Sequence, residues 1–291
     1  YPLMDLYSIV SAYPIAAFTY LPSDPIAGQT VVFDASDSTC QNGIITTYYW
    51  SFDDGAFSGG SVVTHKYVSY GSYNITLTVI SNSRISSNQT QAITIRENPT
   101  ARFHYVPAVN VTVGQSVTFD ASLSTPRGGT IETYIWDFGD GNRTSTPDPI
   151  VLHNYPQGKT YNVTLTVVDS EGLKSSYSQL VKVWMSSFIS ISSSSSSAVI
   201  GFAVDINGTL HDVYGSGLDN QTVIFYYTFS GAGTWFPITS HTTDSHGKYR
   251  ISWIPPATGD FTIKAEWVGN TTHFGASNTI SMSTISFPNQ Y

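Results

Sequence analysis

The chain has 291 residues, of which 11% are charged, 41% hydrophobic and 14% aromatic, against roughly 25% charged residues in an average soluble domain. This apolar and aromatic content excludes disorder, and no uninterrupted apolar run reaches the roughly 18–20 residues of a membrane-spanning helix. A formal net charge of −8 disfavours a phosphate-backbone partner, so no nucleic acid is expected and the surface is polar but mostly uncharged.

The single cysteine, Cys40, rules out an intrachain disulfide and a cysteine-based metal site. The chain opens at Tyr1 without Met and without a charged stretch leading into an apolar one, as expected of a mature secreted product. Residues 1–13 carry Leu3, Met4, Leu6, Tyr7, Ile9 and Val10, too apolar for a free tail. Two readings stand for them. Either they pack on their own domain as an extra strand or short helix, or they are donated to a sheet edge or groove of a neighbouring copy. Burying five such side chains would contribute on the order of 10 kcal/mol before ordering costs.

A repeat organises the next two-thirds of the chain. Gly28-Gln29-Thr30-Val31-Val32-Phe33-Asp34-Ala35-Ser36 returns as Gly114-Gln115-Ser116-Val117-Thr118-Phe119-Asp120-Ala121-Ser122. Tyr48-Tyr49-Trp50-Ser51-Phe52-Asp53-Asp54-Gly55 returns as Tyr134-Ile135-Trp136-Asp137-Phe138-Gly139-Asp140-Gly141, and His65-Lys66-Tyr67 as His153-Asn154-Tyr155. Tyr73-Asn74-Ile75-Thr76-Leu77-Thr78-Val79 then matches Tyr161-Asn162-Val163-Thr164-Leu165-Thr166-Val167, with apolar and polar residues alternating at the period of a half-buried strand. Turn residues recur at the short spacing of a sandwich, and no segment keeps a helical period.

These residues resemble the PKD domain, an immunoglobulin-like β-sandwich of surface and secreted proteins, archaeal ones especially. The hallmark Trp-Asp-Phe-Gly-Asp-Gly stands intact at Trp136 to Gly141, whereas the first copy has Ser51 and Asp53 in place of the Asp and Gly. The resemblance covers about residues 14–183 and implies domains at 14–97 and 98–185.

From residue 186 to 291 the pattern stays β but changes type. A first strand near Ile189 to Ile191, a turn at Gly201 and a second strand through Val204, Ile206 and Leu210 are expected, with the serine run at an edge. Thr222 to Phe229, Thr234 to His241, Lys248 to Ile254, Asp260 to Val268 and Asn278 to Ile285 supply the remaining strands, and Asp244 to Gly247 a turn. Trp253 to Asp260 and Ala265 to Asn270 resemble the Ig-like repeats of prokaryotic surface proteins. The fold class is therefore all-β, three tandem immunoglobulin-like β-sandwiches.

Catalytic patterns are missing from the sequence. The seven histidines form no His-Glu-x-x-His spacing, and neither Gly-x-Ser-x-Gly nor a P-loop occurs. His65 and His153 precede strands at equivalent positions and read as structural histidines. Asp137 and Asp140 flank a glycine in the hallmark turn, where a carboxylate accepts backbone N–H bonds. The resemblance raises calcium, which some PKD domains bind in the loop after Phe-Asp-Ala-Ser and which takes six to eight oxygen ligands. The second loop, Leu123 to Gly129, has lost its carboxylates and gained Arg127, while the first keeps Asp34 and Asp37 as candidates. No metal or other cofactor is the favoured reading.

Eight of the 14 asparagines stand in Asn-x-Thr sequons: Asn74, Asn88, Asn110, Asn142, Asn162, Asn207, Asn220 and Asn270. That is about twice what the Ser and Thr content gives by chance, and the strand pattern turns Asn74, Asn162 and Asn207 outward. N-linked glycans are expected at several of them, and such a coat would keep a charge-poor surface soluble.

These readings point to a non-catalytic extracellular, cell-surface structural protein. The favoured form is a subunit of a glycosylated pilus-like filament or surface layer, assembling head-to-tail with copies of itself, with other surface proteins or polysaccharide as further partners. The alternative is a PKD/Ig-like stalk, or a carbohydrate- or protein-binding module, of a larger secreted enzyme or adhesin. A row of exposed aromatics on one face would favour the alternative. The adjacent pairs Tyr48–Tyr49 and Tyr226–Tyr227 must point to opposite faces of their strands.

Overall fold

The structure, a computed structural model, describes residues 12–287. Leu3, Met4, Leu6, Tyr7, Ile9 and Val10, the expected assembly residues, lie outside this range. All regular structure among the described residues is β-strand, so the fold is all-β and built of facing sheets. No described helix is long and apolar enough to cross a membrane. Backbone packing forms two compact units, one holding residues up to Arg102 with 123–135 and 166–176, the other the remaining residues.

In the first unit, the strands Thr19–Leu21, Thr30–Asp34 and Val62–Lys66 form one sheet in that order. The facing sheet runs Phe57–Gly59, Ile45–Ser51, Gly71–Ser81, Ser86–Ile95. Alternation decides which side chains meet between them. Ile75, Leu77 and Val79 point inward with no exposure and pack with Val31, Phe33, Phe52 and Trp50. Fully burying each aliphatic side chain contributes about 1.5–3 kcal/mol. Phe18 meets the Trp50 ring edge-on at 5.1 Å and Phe33 lies 5.7 Å from it. The chain entering this sandwich pairs with Thr39–Gln41 through Tyr13–Ile15, exchanges bonds with Ser38 at Ala17, and is held by side chains of residues 81–89. Ala12 N–H donates to Ser83 Oγ, Ala16 N–H to Ser87 Oγ and Phe18 N–H to Gln89 Oε1, while Ser81 Oγ donates to the Ala12 carbonyl. Ala12 is fully buried on its own domain.

The second repeat builds the same three-stranded sheet from His104–Val106, Ser116–Asp120 and Ile150–Asn154. Its larger sheet has the order Val111–Thr112, Lys174–Trp184, Thr160–Asp169, Ile131–Asp137, Arg143–Thr146. Trp136 takes the place of Trp50, with Phe103 at 5.1 Å and Phe119 at 5.7 Å.

Beyond the repeats, Val204–Asp212 pairs with Ser187–Ile189, Ser192–Ser193 and Lys248–Trp253. A second sheet has the order Ser197–Val199, Phe274–Ile285, Gly259–Gly269, Thr222–Phe229, Phe236–Thr242. Val223, Phe225, Phe261, Ile263 and Ala265 fill the space between the two with Ile206, Leu210 and Trp253. The serine run is an edge element that changes sheets: Ser192–Ser193 lies antiparallel on the first sheet and Ser197–Val199 parallel on the second. Short polar segments suit such edges, because few of their side chains face a core.

Candidate functional site

The hallmark turns place the most chemically capable side chains of each repeat together. In the second repeat, Asp137 Oδ1 accepts the Gly139 N–H and Asp140 Oδ1 accepts the Asn142 N–H, closing the turn. His153 Nε2 lies 2.8 Å from Asp140 Oδ2, and the Asn142 side-chain amide donates to the same oxygen. Phe138 stacks on the His153 ring at 3.9 Å with 7° between planes, and Tyr155 meets that ring edge-on. The Tyr155 hydroxyl donates to the Phe138 carbonyl, and the Tyr161 hydroxyl to the Gln157 carbonyl.

The first repeat reproduces the arrangement. His65 Nε2 lies 2.7 Å from Asp54 Oδ2, Phe52 stacks on His65 at 4.2 Å, and the Tyr67 hydroxyl donates to the Phe52 carbonyl. Burial first, and the nearby Asp54 and Asp140 charges second, push the Tyr67 and Tyr155 phenols up, so both stay neutral donors. Burial also works against the charge of Asp140. The bonds from the Asn142 N–H, His153 and the Asn142 amide outweigh it and hold the carboxyl below the usual range.

This geometry uses up the groups that general acid–base work would need. The His153 and Asp140 side chains are only 12% and 4% exposed, the imidazole is covered by rings, and the carboxylate is committed to the turn. The cluster staples a hairpin to the core. The Asp–His pairing is what the sequence left unread, although the return of both residues in both copies was its signal.

Asp34, half-buried, closes the turn that follows its strand. Its Oδ1 accepts the Ser36 N–H, and bonds from Ser36 hold the carboxyl below the usual range. Asp37 is exposed. Among the described residues no group of three or more His, Cys, Asp or Glu side chains is placed to hold a metal ion.

All eight sequon asparagines are exposed, and so are the other described asparagines, so exposure alone does not single them out. Their settings differ. Asn74-Ile75-Thr76 and Asn88-Gln89-Thr90 lie antiparallel on neighbouring strands with Thr76 opposite Thr90 and the two hydroxyls 2.9 Å apart. Asn162 takes the position of Asn74 in the second repeat. Asn110 lies in a loop and Asn220 in a turn, at φ 56° and 55°. Asn142 donates to Asp140, as above. The Asn270 side-chain oxygen accepts the N–H groups of Thr272 and His273. Asn207 lines a groove.

The exposed aromatics form local pairs. Tyr48 packs on the first core, while Tyr49 (45% exposed) stacks on Phe57 (60% exposed) on the outer face, at 5.6 Å and 20°. In the second repeat the same positions hold Ile135 and Arg143, and Arg143 pairs with Asp137 at 2.8 Å. Tyr227 packs on the third core, and Tyr226 faces out with its ring 4.7 Å from Lys264 Nζ, which also lies 5.0 Å from the Trp235 ring. Glu266 pairs with Lys264 at 2.8 Å.

Comparison with known proteins gives this geometry its family. The PKD domain model matches residues 11–97 and 96–184. A microbial collagenase of Vibrio alginolyticus is 39% identical over 71 residues, which are 24% of this chain and 8% of the collagenase. The pre-pro-metalloprotease PrtV of Vibrio cholerae is 32% identical over 85 residues, 29% of this chain and 8% of that protein. The chain thus spans about 8% of the length of these curated relatives. Both are bacterial, and the archaeal association is not shown. Among solved structures, the PKD1 domain of the V. cholerae PrtV is 30% identical, covering 28% of this chain and 96% of that one at a TM-score of 0.26. With its two family matches spanning more than half of its length, the chain belongs to the PKD domain family.

Proposed function

We propose that the chain is a non-catalytic section of a larger extracellular protein, a stalk or binding module built of consecutive sandwiches. The observation that carries this reading is the match of single PKD repeats to small portions of a bacterial collagenase and a metalloprotease. The closed Asp–His clusters support it, because the hallmark residues of both repeats serve the fold. Assembly into a filament or surface layer, expected from Leu3, Met4, Leu6, Tyr7, Ile9 and Val10, draws no support from these relatives. Neither does a homopolymeric partner.

The test combines sedimentation, electron microscopy and a protease assay on the purified full chain. Monomers that leave gelatin and casein uncut are the expected result. Filaments or sheets would restore the assembly reading, and substrate turnover by the purified chain would overturn the non-catalytic one.

A further inference from the structure

The sheet containing Val204–Asp212 and Lys248–Trp253 carries a groove of about 800 Å³ on its polar face, and Asn207 lines it. Three features build a site around this sequon. Ser192 Oγ donates to Asn207 Oδ1 at 2.7 Å, which fixes the carboxamide. Thr209, the sequon hydroxyl, lies 2.9 Å from Ser190 Oγ. Gly208 between them permits the approach, because a Cβ there would strike the Ser190 carbonyl and the Tyr249 ring. The Tyr249 hydroxyl donates to that same Ser190 carbonyl.

The groove is hydroxyl-rich; the charges beside Asn207, Arg250 and Asp205, are paired, Asp244 accepts the His246 and Lys248 N–H groups, and the Lys248 ammonium adds one further positive charge to its wall. Arg250 stands directly across from Asn207 in the ladder and its guanidinium binds Asp205. Ser194 lines the groove on the side of the serine run. A neutral, polyhydroxylated group suits such walls, since it can bond to serine hydroxyls and to the outer edges of an ion pair without bringing an unpaired charge.

We propose that Asn207 carries a covalently attached glycan whose first sugar is seated in this groove against Ser194, Asp205 and Arg250. The donor is a diphosphate-activated sugar used by a separate transferase. The amide nitrogen attacks the anomeric carbon, the N–C bond forms and the sugar–oxygen bond breaks. The diphosphate leaves with the bonding electrons, and the amide proton passes to the transferase's base. Asn74, Asn88 and Asn162 sit on sheet faces as solvated strand residues, and Asn142 spends its amide on Asp140. The proposal does not depend on the stalk reading, which stands whether or not Asn207 is modified.

Peptide mapping by mass spectrometry of the full chain secreted by its own cells decides occupancy. The expected result is hexose or N-acetylhexosamine mass on the peptide containing Asn207; an unmodified Asn207 overturns the proposal. Seating is tested by amidase release of the glycan from folded protein. Ser194→Ala and Arg250→Ala, each checked for an unchanged melting temperature, should speed release about ten-fold, as the loss of one or two groove hydrogen bonds would. Release at the wild-type rate in both variants overturns the seated geometry. An Asn207→Gln chain that stays monomeric and uncatalytic would leave the stalk reading intact while this one is decided.

Discussion

The Asp53 carboxylate accepts the backbone N–H of Asn74 at 2.8 Å, a bond with no counterpart in the second repeat, where Gly139 stands in place of Asp53. Both residues hold the left-handed conformation, Asp53 at φ 64° and Gly139 at φ 76°. The first copy therefore carries backbone strain but recovers a charge-assisted hydrogen bond. In the second copy there is no room for a side chain. A Cβ on Gly139 would lie 2.6 Å from the Asn162 carbonyl oxygen. Gly139→Ala should destabilise by about 2–3 kcal/mol, the sum of left-handed strain and a forced backbone shift. Asp53→Gly should stay within about 1 kcal/mol of wild type, because relief of strain offsets the lost bond. Urea unfolding of the two variants measures both.

The two core tryptophans differ in a single hydrogen bond. Trp50 Nε1 donates to the Gly60 carbonyl at 2.9 Å, whereas Trp136 Nε1 is buried without a partner among the described residues. Trp50→Phe removes packing and a hydrogen bond, while Trp136→Phe removes packing and an unpaired buried donor together. Trp136→Phe should therefore cost less than Trp50→Phe by about 1–3 kcal/mol. Paired denaturant curves would show the difference directly.

Acid should loosen the second repeat through Asp140. A carboxyl held low in the folded state stabilises it above the unfolded value of about 3.9 and loses that contribution as the pH falls through the folded value. The cause is the bond set from Asn142 and His153 acting against burial. Asp140→Asn should be clearly less stable than wild type at pH 7 and should converge with it near pH 2. Thermal melts of both proteins from pH 7 to pH 2 check the prediction, and parallel curves would contradict it.

Gly208 faces the serine segment with no room for a side chain between them. Gly208→Ala drives a methyl into the Ser190 carbonyl and the Tyr249 ring, so it should cost about 1–3 kcal/mol as an overpacking change. Tyr249→Phe removes the donor to Ser190 and should cost about 1 kcal/mol. Hydrogen exchange should rise at residues 187–193 in both variants while the first repeat stays unchanged.

Much of the architecture was legible in one dimension. The repeat, the period-2 alternation of Tyr73 to Val79, and the strand Thr222–Phe229 depend only on neighbours along the chain, because successive strand residues face opposite sides. For the same reason Tyr49 could be set apart from Tyr48, and Asn74, Asn162 and Asn207 could be placed outward. What needed the tertiary structure was register between distant segments. His65 and His153 read as structural residues in the sequence, but only strand pairing shows that they meet Asp54 and Asp140 and stack on phenylalanines. The serine run looked like an edge, yet its change of sheets and its bonds to Asn207 and Thr209 follow from where Val204–Asp212 lies. Alternation is a local consequence of pleated backbone geometry. The partners of each exposed polar atom are set by the packing of sheets whose strands stand far apart in sequence, and no local pattern carries that information.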